Sequence, residues 1–491
     1  MIRCRFITRA AATLGAAASS GGAVITAARA AEPAMLSAAQ SEAIAAVVTK
    51  AMAATGTRGV SVAVARAGDV VYAKGFGLRD VAANLPVDTA TIFPIGSITK
   101  QFTAAAIMLL ARDRRLQLDV KAAEYVPLAA HATEYTVRQL LQQTTGLANY
   151  TGVPAFLSSV ATSTTVTPEA MVAMIASAPL AFAPGTQFAY SNTNYVVLGM
   201  IVEAVARISY GRFIAQRIAT PLGLAHLTFG PPPAGSDLAR GYEPQTGTAA
   251  VTPWTPQATY AAGGLYATPA DLVRWNEAFF GARLLDAAAV RDMTTPPSLA
   301  GGEKTNYAMG WLRDEIDGHP MIWHNGAVLG AHARNAYFPG ERISVVALGN
   351  STSFDETNVA RAAFRAIVPP TEAQLAAERR RDEAPAAGED PAITAAAKAE
   401  YEHWRAGNVD PAPYSAAMRA ELSGMVRQVS VGLAAFGAPT AFVYRGRQPA
   451  PPSLFVTTYV FRVTTPNGVV QYVYTLDRDG KIAGIYFKPV P

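Results

Sequence analysis

Pro94-Ile95-Gly96-Ser97-Ile98-Thr99-Lys100-Gln101-Phe102 leads through a glycine turn into an Ala-rich apolar run that lasts to about Ala111. A run of that length and composition predicts a helix from about Ser97 to Ala111. Ser97 and Lys100 are three positions apart at its start, so the hydroxyl and the amine share one face about one turn apart. A serine hydroxyl is a poor nucleophile at neutral pH and needs a base or a nearby positive charge. A desolvated Lys supplies either, because burial lowers its pKa. The helix N-terminus adds partial positive charge where alkoxide character develops. Taken alone, Ser-x-x-Lys is weak, since both residues are common on helix surfaces. Here Phe93, Ile95, Phe102, Ile107 and Leu109 make the helix an interior one, and an interior Lys needs a reason.

Two further stretches carry groups that such a pair could use. Tyr190-Ser191-Asn192 follows Phe182-Ala183-Pro184-Gly185 and precedes an apolar helix. Its plain reading is a helix cap at Asn192 with Tyr190 as packing. Its functional reading is a phenol that ionises beside an ammonium and takes the serine proton, with an amide to hold a substrate carbonyl. His324-Asn325-Gly326-Ala327 lies on a strand that opens with Ile322-Trp323. A strand histidine is commonly a satisfied structural residue. The sharper reading is that Gly326 leaves room for a substrate backbone at the strand edge while the Ala327 N–H contributes to an oxyanion hole. His319 points to the opposite face, and no His-x-His or HExxH pattern occurs, which disfavours zinc.

Farther out, Ser37 caps a helix running to about Ala54. Val60 to Ala65 and Val70 to Phe76 then flank Gly68-Asp69 as a hairpin. The middle reads as mostly helical and loop-rich, with helices near 192–206, 209–218 and 269–280. Between Tyr307 and Asn350 come three strand-like runs separated by Asp317-Gly318, Gly330 and Pro339-Gly340, and a helix over about 355–367 follows. The N-terminal hairpin and this meander bury their apolar faces most simply by joining into one antiparallel sheet. The expected class is therefore α+β, an α/β sandwich with a helical region beside the sheet. Residues 369–391 carry Pro369-Pro370 and Glu378-Arg379-Arg380-Arg381-Asp382-Glu383, and read as a linker with a short charged helix whose charges are solvated. Beyond it, a helix from Ile393 to Ala406 and strands Leu454–Val463, Val469–Leu476 and Ile482–Lys488 predict a small α+β domain over 392–491.

Half of the 491 residues are hydrophobic and 16% are charged, enough to bury more than one core and incompatible with global disorder. The net charge of +5 is nearly all N-terminal. Four of the 41 basic residues, Arg3, Arg5, Arg9 and Arg29, lie in residues 1–30, leaving 37 against 36 acidic groups, with no bias toward a nucleic-acid partner. That basic start, an Ala, Gly and Ser-rich stretch, and Ala28-Arg29-Ala30 read as an export signal cut near residue 30 or 31, giving a periplasmic or secreted protein without a membrane span. Cys4, the only cysteine, lies in that segment, so the mature chain has no thiolate nucleophile, disulfide or Cys-ligated metal.

There is no GxSxG elbow, no Walker A loop and no complete dinucleotide loop. The three elements Ser97–Lys100, Tyr190–Asn192 and His324–Gly326, in that order, resemble the signature of the serine β-lactamase and penicillin-binding-protein superfamily. Tyr190, Leu140-Leu141-Gln142-Gln143-Thr144-Thr145-Gly146-Leu147, Phe182-Ala183-Pro184-Gly185-Thr186 and Ala262-Gly263-Gly264-Leu265 look like its class C β-lactamase and D-alanyl-D-alanine carboxypeptidase branch over residues 37–367. The resemblance implies a catalytic domain over 31–368. In it Ser97 attacks an amide or ester carbonyl, assisted by Lys100 and Tyr190. The N–H groups of Ser97 and Ala327 hold the oxyanion, and Asn192, His324, Asn325 and Gly326 line the substrate site. No cofactor or metal is implied.

His324 and Asn325 depart from the Lys and Thr usual in class C β-lactamases. A neutral histidine gives less fixed charge to attract a substrate carboxylate, which speaks against efficient β-lactam hydrolysis, unless Arg334 replaces the charge. The expectation is an exported serine hydrolase acting on a D-amino-acid peptide, small ester or related amide, with peptidoglycan as one source of such peptides. The rival readings are a true β-lactamase and a catalytically silent protein that holds cell-wall peptide in the same cleft. The C-terminal domain resembles small NTF2-like modules in its order of helix and strands.

Overall fold

The computed structural model describes residues 35–153, 155–243, 247–449 and 456–490. The expected export signal, Cys4 and the expected strand start at Leu454 lie outside the described residues. Helix α1 (Ala38–Thr55) begins at a capping box between Ser37 and Gln40 and ends on Gly56, whose φ of 67° suits a residue without a Cβ. Strands β1 (Gly59–Arg66) and β2 (Asp69–Asp80) form the hairpin, and β3 (Leu85–Pro86) adds a short edge. Between Tyr307 and Asn350 there are four strands rather than three: β4 (Leu312–Ile316), β5 (His319–Val328), β6 (Ala331–Phe338) and β7 (Ile343–Gly349). Asp317-Gly318, Gly330 and Pro339-Gly340 each form a turn that joins two of these strands.

These strands make one seven-stranded antiparallel sheet in the order β3-β2-β1-β7-β6-β5-β4. The two distant segments meet at β1 and β7, paired from Val60 opposite Gly349 to Arg66 opposite Ile343. Both are buried almost throughout because both sheet faces are covered. The larger core is helical: α2 (Thr99–Arg112), α3 (Asn192–Ala206), α4 (Pro256–Gly263) and α5 (Pro269–Phe280) pack with Ala63, Ala65, Val346 and Leu348. On the other face α1 and α6 (Glu356–Ile367) cover Val60, Val62, Val64, Val345 and Ala347. The period-2 alternation of each strand thus divides its side chains between two cores. Every residue of α2 from Thr99 to Leu110 is buried, Lys100 included.

Helix α7 (Glu372–Glu383) occupies the segment read as a linker. Its Glu378 pairs with Arg361 at 3.0 Å and Arg365 at 2.6 Å, while Arg365 also pairs with Asp317 at 2.6 Å. Part of that charge is therefore docked on α6 and the β4–β5 turn instead of being wholly solvated. The C-terminal region comprises α8 (Pro391–Ala406), α9 (Ala416–Phe436) and strands β8 (Ala441–Pro449), β9 (Val456–Thr465), β10 (Gly468–Asp477) and β11 (Ile482–Val490), paired in sequence order. Its own core holds Tyr401, Trp404, Tyr414, Phe461 and Tyr472. Helix α9 and strand β8 were not expected from the sequence. Among the described residues no helix is long and apolar enough to cross a membrane.

Candidate active site

Ser97 sits in a single 3-10 turn, Gly96–Ile98, immediately before α2, and remains half-buried while its neighbours are closed off. The Lys100 ammonium nitrogen is fully buried. It lies 3.0 Å from Ser97 Oγ, 2.8 Å from Asn192 Oδ1 and 2.8 Å from the Ala262 carbonyl oxygen. None of these partners is a carboxylate, and burial pushes the Lys100 pKa well below that of a free lysine. The Asn192 and Ala262 oxygens can only accept, whereas Ser97 can donate. Lys100 Nζ thus has three oxygen partners, and once it is neutral two of its N–H groups can stay on the Asn192 and Ala262 oxygens while its lone pair meets the Ser97 O–H.

Asn192 is free for this contact because it does not cap its own helix. Ser191 is the cap residue of α3, and Asn149 Oδ1, from another loop, accepts from the Asn192 N–H at 3.2 Å. The Asn192 amide nitrogen donates to Thr151 Oγ1 at 3.3 Å, which sets its oxygen toward Lys100. Tyr190 lies with its ring centroid 4.9 Å from Lys100 Nζ. Burial raises the pKa of Tyr190 well above an ordinary phenol, and nearby Tyr307 adds to this; a hydrogen bond to Ser97 opposes it. This environment favours the neutral phenol, where the sequence suggests a group able to ionise beside an ammonium.

Strand β5 passes directly against the Ser97 turn, and two glycines allow it. A Cβ on Gly326 would lie 1.9 Å from the Ile95 carbonyl oxygen, and one on Gly96, where φ is 49°, would lie 2.6 Å from the Ala327 nitrogen. On this face the room at Gly326 is therefore filled by the chain's own nucleophile turn. The consequence is that the backbones of the Ser97 turn and of Gly326-Ala327 lie against each other. Strand β4 pairs with β5 only from His319 to Trp323, so beyond His324 that edge of β5 has no partner from β4.

His324 is buried, and its Nδ1 is 2.5 Å from the Asn325 carbonyl, while Nε2 has no partner among the described residues. Burial lowers its pKa to about 3, so it is neutral at pH 7 with the proton on Nδ1. Asn325 lies on the opposite face of β5, directly across from Arg334, and it meets His324 through its backbone carbonyl. Arg334 is buried on that same far face, its guanidinium 3.5 Å from the Trp323 ring centroid and 3.0 Å from Thr357 Oγ1 on α6. Tyr307, which the sequence did not single out, stands edge-on to both Tyr190 and His324, at 5.8 Å from each. The Ala262 carbonyl was equally invisible, because a backbone atom leaves no mark in residue chemistry.

A sheet sandwiched by helices, with a Ser-x-x-Lys pair, a tyrosine and the 324–327 strand brought together beside it, places the chain in the penicillin-recognising fold class. A family model described as Beta-lactamase matches residues 44–368, and the chain belongs to that family. A D-aminopeptidase of Cereibacter sphaeroides is 26% identical over 289 residues, 58% of this chain and 55% of that protein. The chain thus spans about half the length of the curated relatives it matches. Among solved structures, the D-amino acid amidase of Ochrobactrum anthropi SV3 complexed with D-phenylalanine superposes with a TM-score of 0.60 at 25% identity, over 67% of this chain and 99% of its own. The octameric penicillin-binding protein homologue of Pyrococcus abyssi, at 23% identity and a TM-score of 0.61, shares the fold over 91% of this chain and 96% of its own.

Proposed function

We propose that the protein hydrolyses amides of D-amino acids, including short peptides, through an acyl-Ser97 intermediate. The observation that carries this reading is the buried Lys100 amine, held by two acceptor-only oxygens so that its remaining site faces the Ser97 hydroxyl. The substrate class is supported by the D-aminopeptidase and D-amino acid amidase among the similar proteins, and by the neutral His324, which offers no fixed charge for a carboxylate.

In the first half-reaction Lys100 Nζ takes the Ser97 proton as Oγ bonds to the substrate carbonyl carbon, and the oxygen that becomes negative is met by the N–H groups of Ser97 and Ala327. The neutral Tyr190 phenol gives its proton to the leaving nitrogen. The C–N bond breaks, the amine departs, and the proton left on Lys100 passes to the Tyr190 phenolate, so that both groups end neutral while Ser97 Oγ stays acylated. Water then attacks the ester, one proton passes back to Ser97 Oγ, and the D-amino acid leaves. Asn192 holds Lys100 and presents its amide toward the substrate, and the open edge of β5 at 324–327 is the surface along which a peptide would lie. Turnover of D-alanine p-nitroanilide by the wild type and none by Ser97→Ala is the expected result. Equal turnover by the two would contradict it. We also propose export, on the basic, apolar and Ala-x-Ala order of residues 1–30; N-terminal sequencing of protein from a secreting host should begin near residue 31, and an intact Met1 would count against it.

A further inference from the structure

Inside α4, Tyr260 has φ 39° and ψ −133°, and the helix is kinked there. These angles lie near the first central position of a type II′ turn, which glycine normally occupies, and a bulky side chain rarely stays there. Such a conformation persists only where the surroundings hold it. The ring supplies the hold: it is buried, its centroid is 5.3 Å from that of Tyr210 and 6.0 Å from that of Phe229, and α3 makes way for it at Gly199, where a Cβ would lie 2.4 Å from the ring.

The end of α4 at Gly263 leaves the last carbonyls without helical partners, and the kink sets the direction in which they leave it. In an unbroken helix the carbonyls of Ala261 and Ala262 would receive N–H groups four residues on, from Leu265 and Tyr266. Here the Leu265 N–H donates to Thr99 Oγ1 at 3.1 Å instead. The Ala261 carbonyl accepts from Thr103 Oγ1 at 2.7 Å, and the Ala262 carbonyl accepts from Lys100 Nζ at 2.8 Å. Thr99, Lys100 and Thr103 are neighbours on one turn of α2, so the broken end of α4 is stitched to the turn that carries the amine.

We propose that Tyr260 is a positioning residue for the base: its left-handed backbone breaks α4 and turns the Ala262 carbonyl onto Lys100, which leaves the amine's lone pair aimed at Ser97. This rests on the reading of Ser97 and Lys100 given above. Tyr260 touches no reacting atom, and its backbone conformation, more than its ring, is what the reaction uses.

Packing and positioning rank substitutions in opposite orders. Tyr260→Gly removes the most side chain but adopts the conformation freely, Tyr260→Ala retains one methyl and resists it, and Tyr260→Val fills most space and resists it most. With the full chain, kcat and KM for D-alanine p-nitroanilide and the rate of Ser97 labelling by a fluorophosphonate are measured for the three variants, with thermal unfolding alongside. The expected result is kcat reduced about 10²-fold in the Val and Ala variants, with KM within about threefold, and at least tenfold recovered in the Gly variant. The Ala and Gly variants differ by one methyl, so the comparison stands even where Tyr260→Val fails to fold. An active wild type in which Gly ranks at or below Ala overturns the positioning role alone. A wild type with neither turnover nor a Ser97 label overturns the nucleophile reading and this role with it.

Discussion

At the residue scale, the site depends on side chains held neutral where solvent would charge them. Lys100→Arg tests this most sharply, because arginine keeps the charge and can donate, yet cannot give up its proton to become a base. The expected loss is about 10² to 10⁴ in kcat; an Arg variant within tenfold of the wild type would contradict Lys100 as the base. His324 gives a pH signature. Its pKa is about 3 in the folded chain against about 6.5 unfolded, so below pH 6.5 the unfolded chain takes up a proton that the folded one refuses. Stability attributable to His324 therefore falls as pH drops from 6.5 toward 3, by at most about 1.4 kcal/mol per pH unit. Denaturant melts of wild type and His324→Gln between pH 7 and 4 should show the variant losing less over that window, and parallel curves would contradict a buried neutral imidazole. Much at this scale was legible in the sequence: an amine three positions from a hydroxyl on an apolar helix could hardly be solvated. The cap of α3 was not, because its amide oxygen comes from Asn149, in a separate loop, and nothing local to Asn192 reveals that its own side chain is released.

At the scale of elements, the approach of β5 to the Ser97 turn lays the two donor-bearing backbones against each other, and it depends on glycine. Gly326→Ala would drive a Cβ into the Ile95 carbonyl and push the strand away, so we expect kcat to fall about 10² to 10³-fold, as when one oxyanion donor is lost. Steady-state rates with a thermal melt would check it; an unchanged kcat would mean that the strand does not carry a donor. Sequence periodicity located most catalytic-domain elements, with α3 and α5 beginning and ending where expected, because their apolar faces and breakers agree. Helix α9 escaped because Gly424 and Gly432 each weaken an isolated helix by about 1 kcal/mol. It forms by burying Leu422 and Leu433, about three turns apart, in the C-terminal core, a tertiary gain that local sequence does not display. The direction of Arg334 was hidden for a related reason. Its strand register, which sets it on the Trp323 face, is known only once β5 and β6 are paired.

At the scale of the molecule, a nucleophile turn, a loop and a strand far apart in sequence converge because the first hairpin completes the sheet of the last meander. Helix α7 extends the same body: Glu378 is clamped by Arg361 and Arg365, so a chain ending at Val368 should be less stable than one ending at Glu383, by about 1 kcal/mol. Equal unfolding midpoints for the two truncations would mean that α7 is a passive tether. The most direct test of the whole account is intact-mass spectrometry of the protein mixed with a slowly released acyl donor, a penicillin or a D-amino acid nitrophenyl ester, followed by peptide mapping. The account predicts one adduct, on Ser97, that forms in the wild type, fails to form in Ser97→Ala and decays with the return of free enzyme. An adduct on any other residue, or hydrolysis of the D-amino acid amide that survives Ser97→Ala, would contradict it.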